Sequence, residues 1–209
     1  MNLSQNSLRT AKNLAEKFTS DTLGNGRPHG MCFFICFPLH LHLKNNGIEN
    51  SIWNSQCEEI NHFWIKLEKK EGEKETVIDP TIWQFSFGKN YDAIHFGEKP
   101  TEYGSEINYG EENIANGLCK WLLLLNPIYP SEDTRLDLEL LPKIIIRAAT
   151  IINYEIVEKK IDITHSETYK KYFSVIYQIL NKQIEENQLT EFSKLEGFSH
   201  LQSKAEKEK

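Results

Sequence analysis

Three short segments of the chain carry residue types that together could perform nucleophilic chemistry. Cys32 follows a loop rich in glycine and proline, His62 lies in an alternating segment, and Asp79 precedes a proline. A thiol is a nucleophile as the thiolate, which an imidazole favours by taking the proton, while a carboxylate orients the imidazole. The order predicts a triad in which Cys32 is the nucleophile, His62 the base and Asp79 the residue that orients the base.

The elements around these residues are predicted to bring them together. The apolar spacing from Cys32 to Leu43 is helical, which places Cys32 in a first turn whose N–H groups and dipole stabilise a thiolate. The stretch 62–79 has the length of two antiparallel strands, with His62 on one and Asp79 at the end of the other. Pro38 lies inside the expected helix and predicts that the helix kinks or shortens there, because proline removes a backbone hydrogen bond.

Three further residues are candidate supports for this site. We expect the backbone N–H of Cys32 to stabilise an oxyanion, with Asn25, the only amide side chain in residues 21–30, as the candidate second donor. A plain turn role is the alternative for Asn25. Gln84 is expected to bond Asp79 or the backbone in a structural role, and Trp64 to be a core residue rather than a substrate platform.

Histidines and cysteines near the expected nucleophile also raise the hypothesis of a metal site. Four of them recur along one face of the expected helix: His29, Cys32, Cys36 and His40. One straight helix offers about two ligands to one ion, because successive turns lie about 5.4 Å apart. The spacing matches no zinc signature, so we expect no metal and no other cofactor.

Composition argues against several classes of protein. The chain has 209 residues, of which 39% are hydrophobic and 26% charged, as is typical of a folded globular protein. The net charge of −6 argues against a nucleic-acid partner, since such proteins usually present a basic face. No apolar run reaches the roughly 18 residues of a membrane span. The first residues lack the apolar stretch of a secretory signal, so we expect a cytoplasmic location.

The order and spacing of the three motifs resemble the transglutaminase-like branch of the papain-like cysteine enzymes. That pattern has Gly-x-Cys at a helix start, then His-x-Trp, then a hydrophobic residue before Asp-Pro-Thr. The corresponding segments here are Gly30-Met-Cys32, His62-Phe-Trp64 and Ile78-Asp-Pro-Thr81. Gln84-Phe85 is similar to a form of the last motif in bacterial members, and the resemblance covers roughly residues 8–97. Arylamine acetyltransferases share the triad but usually lack Asp-Pro-Thr.

The resemblance implies an α+β fold with a papain/transglutaminase-like core, in which N-terminal helices pack on a small antiparallel sheet. We expect this catalytic core in residues 1–130 and a C-terminal helical extension packed on it in residues 131–202. The charged residues 203–209 are expected to form a disordered tail.

The resemblance also implies acyl transfer on an amide or peptide bond of a protein or peptide substrate, through a thioester at Cys32. Water as the acceptor would make the protein a protease, an amidase or a glutamine deamidase, whereas an amine would make it a transglutaminase. Hydrolysis is preferred because amine capture needs a second binding site. The alternative function is a non-catalytic interaction module that keeps this fold. The substrate and the oligomeric state stay open at this point.

Overall fold

The protein is described by a computed structural model that covers residues 5–24, 26, 30–58, 60–68, 74–91, 94–109, 140–170, 172–174 and 176. The chain divides into two compact units, Met1–Gly110 with Arg135–Asp137, and Glu111–Thr134 with Leu138–Lys209. The described part of the first unit combines helices with a five-stranded antiparallel sheet, so the expected α+β class is confirmed. The expected boundary at residues 130 and 131 and the tail at 203–209 lie outside the described residues.

Two helices of the first unit pack on each other. Helix α1, Gln5–Leu23, turns a stripe of small and aromatic residues inward, including Ala11, Ala15 and Phe18. Helix α2, Cys32–Asn45, is buried on all sides from Cys32 to Leu43. A helix that is apolar all round belongs in a core, and α2 contacts both α1 and the sheet.

Pro38 does not shorten α2, which continues for seven residues beyond it to Asn45. An interior proline costs about 3 kcal/mol because it removes one hydrogen bond and crowds the preceding turn. Burial of the whole helix offsets that cost. The helix ends where the backbone N–H of Asn46 returns to the carbonyls of His42 and Leu43, ahead of Gly47 at φ +74°.

The sheet is antiparallel throughout, and its strand order is β4-β3-β2-β1-β5. The strands are β1 Asn50–Cys57, β2 Ile60–Leu67, β3 Val77–Asp79, β4 His95–Gly97 and β5 Glu106–Asn108. In the centre of the sheet, Ile65 of β2 lies opposite Ile78 of β3. The two strands that bear His62 and Asp79 are therefore direct neighbours.

A tight turn region follows β3 and carries Gln84. It consists of two short 3₁₀ helices, Ile82–Gln84 and Phe87–Asn90, which contact each other. Gly88 is buried at this contact, and a Cβ at that position would lie 1.8 Å from the carbonyl oxygen of Ile82. Only glycine fits at this close approach of two backbone segments.

The described part of the second unit is helical. Helix α3, Leu141–Lys159, buries residues at helical spacing such as Ile145, Ala149 and Ile152, and it ends at Lys160 in the left-handed conformation. Further helical residues lie at 167–170, 172–174 and 176. Among the helices of the described ranges, none is both long and apolar enough to cross a membrane.

We predict that Gly88→Ala destabilises the protein by about 2–3 kcal/mol, because a methyl group must displace the backbone at Ile82. Urea unfolding followed by circular dichroism measures the loss. Gly97→Ala is the matched control, since its Cβ would make an ordinary contact of 3.4 Å with the ring of His95. Equal stabilities of the two variants would contradict the prediction.

Candidate active site

His62 and Asp79 form a fully buried pair at the ends of β2 and β3. The pairing of Ile65 with Ile78 places Trp64 opposite Asp79, and His62 follows two residues along the same face. The Nε2 atom of His62 lies 2.6 Å from Oδ2 of Asp79, and both side chains are 0% exposed. The expected contact between base and orienting carboxylate is present.

The Asp79 carboxylate accepts hydrogen bonds from three residues. Its Oδ2 accepts from His62 and from the hydroxyl of Tyr103. Its Oδ1 accepts from the backbone N–H of Thr81 at 2.8 Å and from the Thr81 hydroxyl at 3.2 Å. Burial acts to raise the pKa of Asp79, but the positive charge of His62 and the donated hydrogen bonds outweigh it, so the pKa lies below its ordinary value of 3.8. The carboxyl is thus held as the anion.

Cys32 is the first residue of α2, as the sequence predicted. Its side chain lies close enough to His62 to raise the pKa of the imidazole. No side chain caps the start of this helix, and the first-turn N–H groups carry the positive end of the helix dipole. The structure therefore brings Cys32 near the hydrogen-bonded pair of His62 and Asp79, with the cysteine at a helix N-terminus.

The environment of His62 favours its charged form. Burial acts to lower the pKa of His62, but the Asp79 carboxylate and the hydrogen bonds with Asp79 and Cys32 raise it above the ordinary value of 6.5. Phe85 and Tyr103 pack edge-on against the ring at centroid distances of 4.6 and 5.8 Å. These contacts fix the plane of the imidazole, so rotation away from Asp79 would cost both packing and hydrogen bonds.

Gln84 lies in the site, but not against Asp79. Its Oε1 accepts from the backbone N–H of Gly30 at 3.2 Å, and its Nε2 lies 3.0 Å from Nδ1 of His62. The expected backbone contact is present. The contact with His62 was not expected, because nothing in the sequence links a residue of a short 3₁₀ helix to a particular ring nitrogen.

Tyr103 is the residue of the site that sequence reasoning missed. It is 4% exposed, and its hydroxyl donates to Asp79 from a segment outside every helix and strand. Burial, followed by the Asp79 charge, raises the pKa of Tyr103 far above its ordinary value, so it stays a donor. A tyrosine in a loop gives no pattern from which a contact 24 residues away can be predicted.

Trp64 is a core residue, as expected. It is 0% exposed, donates from Nε1 to the Ser55 hydroxyl at 2.7 Å and stacks on Trp53. No face of the indole is left open to a substrate. Asn25, the candidate second oxyanion donor, lies outside the described residues.

The residues of the metal hypothesis have other partners. Cys36 donates to the Phe63 carbonyl at 3.2 Å, and Nδ1 of His40 lies 2.7 Å from Oδ1 of Asn50. His29 lies outside the described residues. In the part of the chain that the structure describes, no group of three or more His, Cys, Asp or Glu side chains is placed to hold a metal ion.

The other two cysteines of the described core differ from Cys32 in their surroundings. Burial, with a smaller effect of the Asp79 charge, raises the pKa of Cys36 well above its ordinary value of 9.0. The same causes, with further carboxylates, raise the pKa of Cys57 to about 12. Both are held as neutral thiols, which are poor nucleophiles.

Comparison of the chain with protein-family models, curated proteins and solved structures finds no match.

We predict that Asp79→Asn lowers the free energy of unfolding by about 3 kcal/mol at neutral pH, because it leaves a buried donor array without its charged acceptor. Because the pKa of Asp79 is lower in the folded protein than its ordinary value of 3.8, its charge stabilises the fold at pH values above 3.8. That stabilisation is lost as the pH falls through the pKa of the folded protein. The difference between wild type and variant should therefore shrink in acid.

Chemical unfolding measured at several pH values between 7 and 3 tests this prediction. Asp162→Asn is the control, because that aspartate is an exposed turn residue whose carboxylate accepts from Thr164. If the free energies of unfolding of the wild type and Asp79→Asn differ by the same amount at every pH, the predicted link between the Asp79 charge and stability is contradicted.

Proposed function

We propose that the protein is a cysteine-dependent acyl-transfer enzyme that acts on an amide or peptide bond through a thioester. The observation that carries the proposal is the buried hydrogen-bonded pair of His62 and Asp79, with Cys32, the first residue of α2, close enough to act on the imidazole. A nucleophile, a base within hydrogen-bond reach and a third group that orients the base are the parts that nucleophilic catalysis requires.

The first half of the reaction forms the thioester. His62 takes the Cys32 proton on Nδ1, since Nε2 is held by Asp79, and the thiolate attacks the carbonyl carbon. The C–S bond forms as the carbonyl oxygen becomes an oxyanion, which the backbone N–H of Cys32 stabilises. The C–N bond then breaks, and His62 returns its proton to the leaving nitrogen.

The second half releases the acyl group. An acceptor gives its proton to His62 and attacks the thioester carbonyl, the C–S bond breaks, and the Cys32 sulfur recovers the proton. Water as the acceptor yields a protease, an amidase or a glutamine deamidase, and an amine yields a transglutaminase. We prefer water, because amine capture needs a second binding site for the amine.

The proposal also covers the family of the protein, its location in the cell and its partners. The Gly-x-Cys segment at the start of α2 and the antiparallel strands that bear His62 and Asp79 support a papain/transglutaminase-like core. Cys32, Cys36 and Cys57 are free thiols, which supports a reducing cytoplasmic location. We propose a protein or peptide substrate and no nucleic-acid partner, in keeping with the net charge of −6.

One observation favours the second candidate, a non-catalytic interaction module that keeps the fold. Cys32 is only 3% exposed, so the sulfur is covered in this conformation. A substrate reaches it only if the covering atoms move. A module would need no such movement, and the reactivity of the thiol distinguishes the two candidates.

We predict that iodoacetamide alkylates Cys32 much faster than Cys36 or Cys57 at pH 7, as peptide mass spectrometry of the full chain can measure. His62→Ala should slow Cys32 labelling by about tenfold or more, because the thiol then lacks a neighbouring base to take its proton. His165→Ala, at an exposed histidine of the second unit, should leave the rate unchanged. Slow, equal labelling of the three thiols would favour the module.

Turnover is tested with casein and with glutamine-containing peptides, in the presence and absence of a fluorescent primary amine. Peptide fragments indicate a protease, ammonia release without amine uptake a deamidase, and fluorescent product a transglutaminase. Cys32→Ala should abolish whichever reaction occurs. Turnover that survives in Cys32→Ala would overturn the proposed function. So would a wild-type protein that shows no turnover and whose Cys32 is labelled slowly.

A further inference from the structure

One ring nitrogen of His62 has a contact in the structure and a task in the proposed reaction. Nε2 is engaged by Asp79 at 2.6 Å, which leaves Nδ1 as the atom that would accept the Cys32 proton. The side-chain amide nitrogen of Gln84 lies 3.0 Å from that same Nδ1. A neutral imidazole has one lone pair, so a hydrogen bond from Gln84 opposes proton transfer from the thiol to this atom.

Neighbouring groups fix which end of the Gln84 amide faces His62. The backbone N–H of Gly30 points at one end of the amide at 3.2 Å, and only oxygen can accept it. The other end lies 3.4 Å from the Thr81 hydroxyl oxygen, whose own proton goes to Asp79. Both contacts require the NH₂ group to face the ring, so the amide donates to Nδ1.

We infer that Gln84 is a positioning residue that favours the neutral imidazole of His62, with its proton on Nε2, and so opposes transfer of the Cys32 proton to Nδ1. A donor aimed at Nδ1 stabilises the lone pair there and repels an N–H at the same atom. The inference rests on the proposed function only in treating Cys32 as the thiol that is to be activated.

Gln84 therefore opposes the other groups around the ring. Asp79 from β3 and Cys32 from α2 raise the proton affinity of His62, while Tyr103 faces the ring and donates to Asp79. The Gln84 amide, which lies against Nδ1, favours the uncharged ring. Activation then requires the amide to leave Nδ1, or to rotate and present Oε1 to an Nδ1–H.

Gly30 couples this rotation to the nucleophile segment. Rotation of the amide would lose the bond from Gly30, which stands two residues before Cys32 and has φ +72°. A ligand that takes the Gly30 N–H for its own oxygen removes the contact that fixes the resting orientation. Occupation of the site would thus favour the imidazolium and the thiolate together.

Nuclear magnetic resonance of the ¹⁵N-labelled full chain tests the inference directly. In Gln84→Met, which keeps the length of the side chain but removes the donor, the titration midpoint of His62 should rise by about one pH unit, the worth of one hydrogen bond to a charged or neutral ring. Gln84→Glu should raise it further, since a carboxylate accepts from Nδ1–H.

Alkylation of Cys32 gives a second readout that a merely structural role would not produce. Gln84→Met should speed labelling by iodoacetamide at pH 6 by up to about tenfold, because the freed Nδ1 can take the thiol proton. Gln56→Met, at an exposed glutamine of β1, is the matched control and should change neither the midpoint nor the rate. Circular dichroism of each variant checks that it is folded.

The outcomes for Gln84 and for the proposed function are separable. A His62 midpoint that does not rise in either Gln84 variant overturns the inference, while rapid Cys32 labelling in the same protein keeps the proposed function. Slow labelling and no turnover overturn the proposed function, and the His62 midpoints still decide the role of Gln84.

Discussion

The buried carboxylate of Asp79 is the interaction on which the rest of the first unit depends. A carboxylate that is 0% exposed is tolerated only if donors replace the water it has lost. Here the donors come from β2, from the turn after β3 and from the segment that holds Tyr103. Because one anion ties three parts of the chain together, the geometry that orients His62 is also the geometry that holds the end of the sheet in place.

Folding and chemistry make different demands on the two ends of this site. At the carboxylate end, every contact favours one fixed state, and Thr81 closes onto Asp79 because Pro80 ends the strand. At the other end, Nδ1 of His62 lies against the amide of Gln84, whose orientation is fixed by the backbone N–H of Gly30. One ring nitrogen is thus held by a buried ion, and the other by a neutral amide that can rotate, which is the asymmetry that the proposed role of His62 as a base requires.

The parts of this site that sequence predicts are those with local signatures. A cysteine after a glycine-rich loop, an alternating strand and Asp-Pro at a strand end each leave a pattern, so the start of α2 and the pairing of His62 with Asp79 follow from spacing. The path of α2 beyond Pro38 does not, because burial from all sides overrides a local penalty. Tyr103 and the ring contact of Gln84 are also out of reach, since they depend on how short loops return to the sheet, and neither position carries periodicity.

The three free thiols of the described core share a residue type but differ in their surroundings. All three are buried, and the Asp79 charge disfavours a second anion at Cys36 and Cys57. The Cys36 thiol donates a hydrogen bond to the Phe63 carbonyl, which is not basic enough to take the proton. Cys32 differs from them in its neighbour, because it lies close enough to act on the imidazole that is bonded to the carboxylate. A low dielectric penalises a lone anion, as at Cys36 and Cys57, but strengthens the attraction within an adjacent pair of opposite charges, so the proposed reaction requires a sulfur that has an imidazole beside it.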